Sequence, residues 1–210
     1  MPVKTNEREY RDIDISQFEC RTMEDGQAVV EGYATTFDQE YLLWGDDRYK
    51  VFESVDRHAF DNADMADVIM QYDHEGRVFA RISNGTLELK ADEHGLKMRA
   101  ELGGTEIGRQ LYEEIKGGYT TKMSFGFSVK KSERTENRDE TNGNVTVHRK
   151  ITEIKKLYDV SAVSLPANDA TEISARNIGE GVIAEVKQEL LAMEARKRKQ
   201  SQIAIVARSF

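Results

Sequence analysis

The sequence predicts a mainly β (α+β) fold: an antiparallel β-barrel carrying one or more surface helices and ending in a C-terminal helix. Three observations lead there. About seven to ten short apolar or alternating segments, separated by turn residues, precede residue 170. Helical periodicity interrupts them once, and after residue 177 the pattern becomes helical and stays so.

In chain order, residues 1–11 are charged and read as a flexible N-terminus, with the principal domain expected over 12–176. Ile13, Ile15, Phe18 and Cys20 nearly alternate, as strand residues do. Residues 27–36 (QAVVEGYATT) are β-rich and follow Glu24-Asp25-Gly26, so the two segments suggest an antiparallel pair across a turn. Residues 37–50 read as a loop whose Tyr41, Leu42, Leu43 and Trp44 cover one end of the core, and a short helix is expected around 56–60. Residues 68–72 (VIMQY) form the most apolar strand and run into Asp73-His74-Glu75-Gly76. A strand at 78–82, a turn at Ser83-Asn84-Gly85, and a hairpin of 86–90 with 96–100 follow.

Ile107, Leu111 and Ile115 recur at four-residue spacing, Thr105 is placed to cap the first turn, and Gly117-Gly118 stops the period. In 122–131 (KMSFGFSVKK), Met123, Phe125, Phe127 and Val129 fall on one strand face, and Ser124, Gly126 and Ser128 on the other. Residues 132–144 are almost all polar and read as a surface loop. β-rich sequence returns over 145–152 and 154–163 before Pro166-Ala167-Asn168. Residues 177–210 are expected to be a C-terminal helix and tail. Val182, Val186, Leu190 and Met193 make its stripe, and 201–210 would be a short strand or extended peptide.

Composition narrows the function. The net charge is −8, which disfavours generic binding to a nucleic-acid backbone. One cysteine, Cys20, excludes an internal disulfide framework and a Cys-rich metal site, and it reads as an incidental thiol. No run of about 18 apolar residues suggests a membrane span, and the first residues lack the apolar core of a secretory signal.

Of four histidines, His58, His94 and His148 lie in charged or turn sequence and read as surface or structural. His74 follows directly from an apolar strand, which would hold its ring on a rigid support. Ser124 sits mid-strand between Met123 and Phe125, where a hydroxyl has either a bonding task or a place on a small-residue face. A serine hydroxyl is a weak nucleophile at neutral pH and needs a base. His74 is suited to that exchange, and Asp159 is an acceptor able to fix its tautomer. The order His, Ser, Asp matches none of the familiar triad orders, so spacing alone leaves these roles open. Ser128 and Ser161 remain alternative hydroxyls.

Several segments taken together resemble the prohead (capsid maturation) protease family of tailed bacteriophages, whose fold is similar to the herpesvirus assembly protease. They are Glu31-Gly32-Tyr33-Ala34, Val55-Asp56-Arg57-His58-Ala59-Phe60, Tyr72-Asp73-His74 and the helix of 105–118. Met123-Ser124-Phe125-Gly126-Phe127 and the run from Asp159-Val160-Ser161 to Pro166-Ala167-Asn168 complete the set. They span about residues 28–176. The resemblance implies a barrel of the herpesvirus-assembly-protease type and a serine endopeptidase with Ser124 as nucleophile and His74 as base. The family's third position, commonly glutamate, falls on Asp159.

It also implies cleavage of the scaffolding segment of a major capsid protein, or of a separate scaffold protein, and of the enzyme itself. That would take place inside the assembling procapsid in a bacterial cytoplasm. Cofactors, metal, specific nucleic acid and membrane play no part in that expectation, and self-association is compatible with it. Residues 177–210 would then be a scaffold-like propeptide. The oxyanion-binding backbone would lie at 166–168 or around Gly126. The competing reading from the residues is a non-enzymatic capsid-assembly protein on the same scaffold.

Overall fold

A computed structural model describes residues 7–14, 19–22, 28–164 and 169–207. Two open sheets share one apolar core, with helix α1 (Glu106–Lys116) closing one side. The smaller sheet has the order β2-β3-β9-β8, from β2 (Glu19–Thr22), β3 (Ala28–Thr36), β8 (Leu87–Ala91) and β9 (Gly95–Glu101), all antiparallel. The larger sheet has seven strands. Its main path is β1 (Glu9–Asp14), β10 (Lys122–Arg138), β11 (Val145–Val163), β5 (Tyr49–Val55) and β4 (Tyr41–Gly45). β6 (Ile69–Tyr72) pairs with the far end of β11 and with β7 (Glu75–Arg81).

The expected antiparallel barrel is not what forms. Neither sheet closes on itself, and β11 pairs parallel to both β5 and β6, so the architecture is a mixed α/β one. The reason lies in β11. At 19 residues it outruns any single neighbour, so Val145–Ile151 take β5 and Asp159–Ala162 take β6 along the same edge. Alternation shows which residues face inward. It carries no information about strand direction or about which edge meets which.

Other elements depart from expectation for local reasons. Residues 132–138, read as loop, continue β10 against Val145–Ile151, and only 139–144 turn. Val145, Val147 and Ile151 supply the buried side of that ribbon. Residues 41–45 are a strand instead of a loop, paired with β5. Around 56–60 there is no helix but consecutive turns, with Ala59 N–H donating to Asp56 and Asp61 N–H to His58 at 2.9 and 3.1 Å. Ile13 lies in β1 and Cys20 in β2, in different sheets. Ile15, Phe18 and the 24–26 turn lie outside the described residues.

α1 forms as its signals indicate. Thr105 Oγ1 accepts the Gly108 N–H at 3.0 Å, while Leu111, Tyr112 and Ile115 face the core. The C-terminal helix α2 (Asp169–Ala207) is longer than its stripe suggested, and 201–207 continue it. Ile178, Val182, Ile183 and Val186 pack on Val51, Val145 and Val147, whereas Leu191 and Met193 are exposed. Gly179 lies so near Trp44 that a Cβ would come within 2.5 Å of the tryptophan Cβ.

Residues Glu9 to Arg11 are anything but apolar, yet β1 is ordered by charge. Glu9 and Arg11 are buried with Glu53 and Arg149. Arg11 Nε donates to Glu53 at 2.5 Å and Nη2 to Glu9 at 2.7 Å, Arg149 bonds both carboxylates, and Tyr41 O–H donates to Glu53 at 2.6 Å. Burial pushes the Glu53 carboxyl up, but the two guanidinium groups prevail and bring it down to about 2. Two carboxylates facing two guanidinium groups leave no unbalanced charge, as a buried ionic cluster requires.

Candidate active site

His74 stands in a two-residue hairpin loop. Tyr72 and Glu75 are paired, and the residues between them, Asp73 and His74, have φ of 50° and 61°. Positive φ at both centres is the type I′ geometry that suits the twist of a hairpin. Asp and His enter that region more readily than most side chains, though at a cost that the surroundings must offset. They do so at Asp73. Its N–H donates to Ala162 O at 2.9 Å, and its carboxylate accepts the Ser164 N–H and hydroxyl at 2.9 and 2.8 Å. The turn is thereby fastened to the end of β11.

That fastening delivers the imidazole to Asp159. His74 Nδ1 and Asp159 Oδ2 are 2.5 Å apart, and the His74 side chain is only 4% exposed. Ser161 Oγ donates to the same oxygen at 2.5 Å, and Arg8 Nη2 bonds Oδ1. Burial alone would push the Asp159 carboxyl up. The hydrogen bond and charge of His74, the Ser161 hydroxyl and the Arg8 charge outweigh it and hold the group below the usual carboxylate range. An ionised carboxylate on Nδ1 selects the tautomer with its proton there, leaving Nε2 as an acceptor.

Ser124 lies on the same face. In the β10–β11 register it opposes Ser161, and Gly126 opposes Asp159. On the other flank Ser124 opposes Asp12, and Gly126 opposes Tyr10. Ser124 is fully buried, and neither its Oγ nor His74 Nε2 has a hydrogen-bond partner in the protein. The fold thus joins His74 to Asp159 and sets Ser124 two positions along from Gly126, but no bond links Ser124 to His74. A buried hydroxyl left unbonded costs about 1–3 kcal/mol, so such a group calls for a reason.

The other sequence candidates are engaged elsewhere. Ser161 is committed to Asp159, and Ser128 Oγ lies 3.5 Å from Tyr158 O–H. His58 is exposed beside Asp61, His94 stacks edge-on to Tyr33, and His148 pairs with Glu40 at 2.8 Å. Burial raises the Cys20 thiol above its ordinary range, which makes it a poorer nucleophile. Residues 166–168, one of the two expected oxyanion-binding segments, lie outside the described residues.

Sequence reasoning missed Arg8 and Tyr10. The Tyr10 ring lies 4.3 Å from the His74 ring, centroid to centroid. The one signal for them was Gly126 in a small-residue face, a gap that something had to occupy. Among the described residues no three His, Cys, Asp or Glu side chains converge as metal ligands, and no helix is long and apolar enough to cross a membrane.

Residues 16–185 match the model of the caudovirus prohead serine proteases. The chain belongs to that family. Prohead serine proteases are serine-type endopeptidases of capsid maturation, and this is the activity class of the chain. Among solved structures it is similar to the bacteriophage T4 capsid assembly protease, gp21, at 12% identity and a TM-score of 0.41. That alignment covers 75% of this chain and 99% of the T4 protein. No curated protein matches the sequence. Within a prohead protease, the unbonded Ser124 and the carboxylate-held His74 are the hydroxyl and imidazole that serine-type chemistry calls for.

Proposed function

We propose that Ser124 is the nucleophile, His74 the general base and Asp159 the residue that orients it. We further propose that the substrate is the scaffolding segment of the major capsid protein or a separate scaffold protein, together with the enzyme itself, inside the assembling procapsid. The observation that carries the catalytic reading is the division of labour at His74. Its Nδ1 is held by Asp159 at 2.5 Å, while Nε2 is buried and uncommitted on the side of the sheet that bears an equally uncommitted Ser124 Oγ.

On this reading, Ser124 Oγ attacks the scissile carbonyl carbon as its proton passes to His74 Nε2. The new C–O bond gives a tetrahedral oxyanion. Its collapse breaks the C–N bond, and the proton on Nε2 goes to the departing amine. Water, deprotonated by the same nitrogen, then attacks the acyl-serine and releases the new carboxyl end. Asp159 keeps its charge throughout and stabilises the imidazolium. Backbone N–H groups near Gly126 are the described candidates for the oxyanion.

A groove beside the turn supports a path for an extended peptide. Tyr72, Asp73, Glu75 and Phe79 form one wall, and Ile107 and Glu114 of α1 form part of the other. The division within α2 supports confining a propeptide to its distal part, because residues from Leu191 onward are exposed while Ile178–Val186 belong to the core.

The test is to co-express Ser124→Ala, and separately His74→Ala, with the neighbouring capsid and scaffold proteins and to measure the intact mass of every product. Both variants should leave all substrates full length. Unchanged processing by Ser124→Ala would remove it as nucleophile. Loss of self-cleavage alone would assign scaffold cleavage to another enzyme.

A further inference from the structure

We propose that Arg8 is a positioning residue of this site: its guanidinium enters through the gap left by Gly126 and holds the Asp159 carboxylate toward His74. The inference rests on the roles given above to His74, Ser124 and Asp159, and three separate features support it.

The first is space. A Cβ on Gly126 would overlap Asp159 Oδ1 and would stand 2.8 and 2.9 Å from Arg8 Nε and Nη2. Any side chain there would exclude both partners, so the glycine makes their meeting possible. The second is the channel around the cation. The Arg8 guanidinium carbon lies 5.1 Å from the centre of the Tyr10 ring and 4.9 Å from that of Tyr158, close enough for both ring faces to attract it. The third is the anchor. Glu9 and Arg11 bracket Tyr10 and are locked into the buried cluster with Glu53 and Arg149, so the strand from which Arg8 extends is held on the sheet.

The donors divide between the carboxylate oxygens. Oδ2 takes His74 and Ser161, and Oδ1 takes Arg8. Arg8 therefore sets the rotation of the carboxylate as well as its charge. The other ionisable groups that face this site are Tyr10 and Asp12 from β1, Asp73 and Glu75 from the turn, and Tyr158 from β11. Carboxylates and phenols can only add to negative charge here, so the cation at Arg8 is what favours an ionised Asp159 from this flank.

The test uses the full chain as wild type, Arg8→Ala, Arg8→Lys and Ser124→Ala. Two quantities are followed across pH: the rate of serine labelling by a fluorophosphonate, and the titration of the Asp159 carboxyl by carbon NMR of aspartate-labelled protein, assigned with Asp159→Asn. Arg8→Ala should slow labelling about tenfold, the change expected for one charge-assisted hydrogen bond. It should also move the acid limb of the labelling profile and the Asp159 titration to higher pH.

Arg8→Lys should restore both pH positions but not the full rate, because an ammonium supplies charge without the planar fork. A merely structural role would lower the rate without moving either titration. Arg8→Ala with an unchanged Asp159 titration, or with faster labelling, would overturn the proposal. If wild type and Ser124→Ala label alike, the nucleophile assignment fails, and the Asp159 titration still decides the role of Arg8.

Discussion

Gly126 and Asp159 face each other across β10 and β11, and the carboxylate of the second occupies the volume where the first would carry a side chain. The strand that bears Ser124 is thereby shaped around the residue that holds His74. Gly126→Ala is expected to fold, since the change is one methyl group on a long paired strand, but to displace Asp159 and Arg8. Overpacking of this kind costs about 1–3 kcal/mol. Thermal melting should show that modest loss, while serine labelling should fall far more steeply than the stability.

Asp159→Asn probes the tautomer. A carboxylate accepts the Nδ1 proton. An amide can donate to Nδ1 instead, which places the proton on Nε2, where it blocks general-base action. The expected loss in kcat is roughly 10³–10⁴-fold with little change in fold, in line with the loss of the orienting acid in serine proteases. Retention of near-normal cleavage by the purified variant would exclude Asp159 from the mechanism.

The buried cluster predicts acid sensitivity with a definite sign. Glu53 is held at about 2 in the folded protein, below its ordinary value. Its stabilising contribution is therefore complete above about pH 4.5 and is lost as pH falls toward 2. Asp159, also depressed, acts in the same direction. Glu53→Ala should abolish this contribution and leave Arg11 and Arg149 buried with one carboxylate fewer, a loss of roughly 3–5 kcal/mol. Urea unfolding of wild type and variant at neutral and acid pH should show the gap narrowing as the pH drops.

Two truncations separate the parts of α2. Ending the chain after Leu190 removes exposed side chains and should shift Tm little. Ending it before Ile178 strips Ile178, Val182, Ile183 and Val186 from Val51, Val145 and Val147. Each buried aliphatic side chain contributes on the order of 1.5–3 kcal/mol, so that variant should be insoluble or largely unfolded. Equal stability of the two truncations would contradict the packing described for α2.

The local chemistry of the chain determined much on its own. The β-rich body, the capped helix after Thr105, the exposed Ser124-Gly126-Ser128 face of one strand and the candidates His74, Ser124 and Asp159 were all legible. Alternation, capping and turn residues act over a few positions and leave their mark in a few positions. Only the tertiary structure decided that β11 would run parallel to β5 and β6 and leave both sheets open. It also decided that the polar residues 132–138 would be strand, and that charged Glu9 and Arg11 would be interior. His74 and Asp159 are 85 positions apart, and Arg8 and Asp159 are 151. Contacts at such separations depend on which strand edges meet, and buried ion pairing can carry a charged segment inside against every local hydropathy signal.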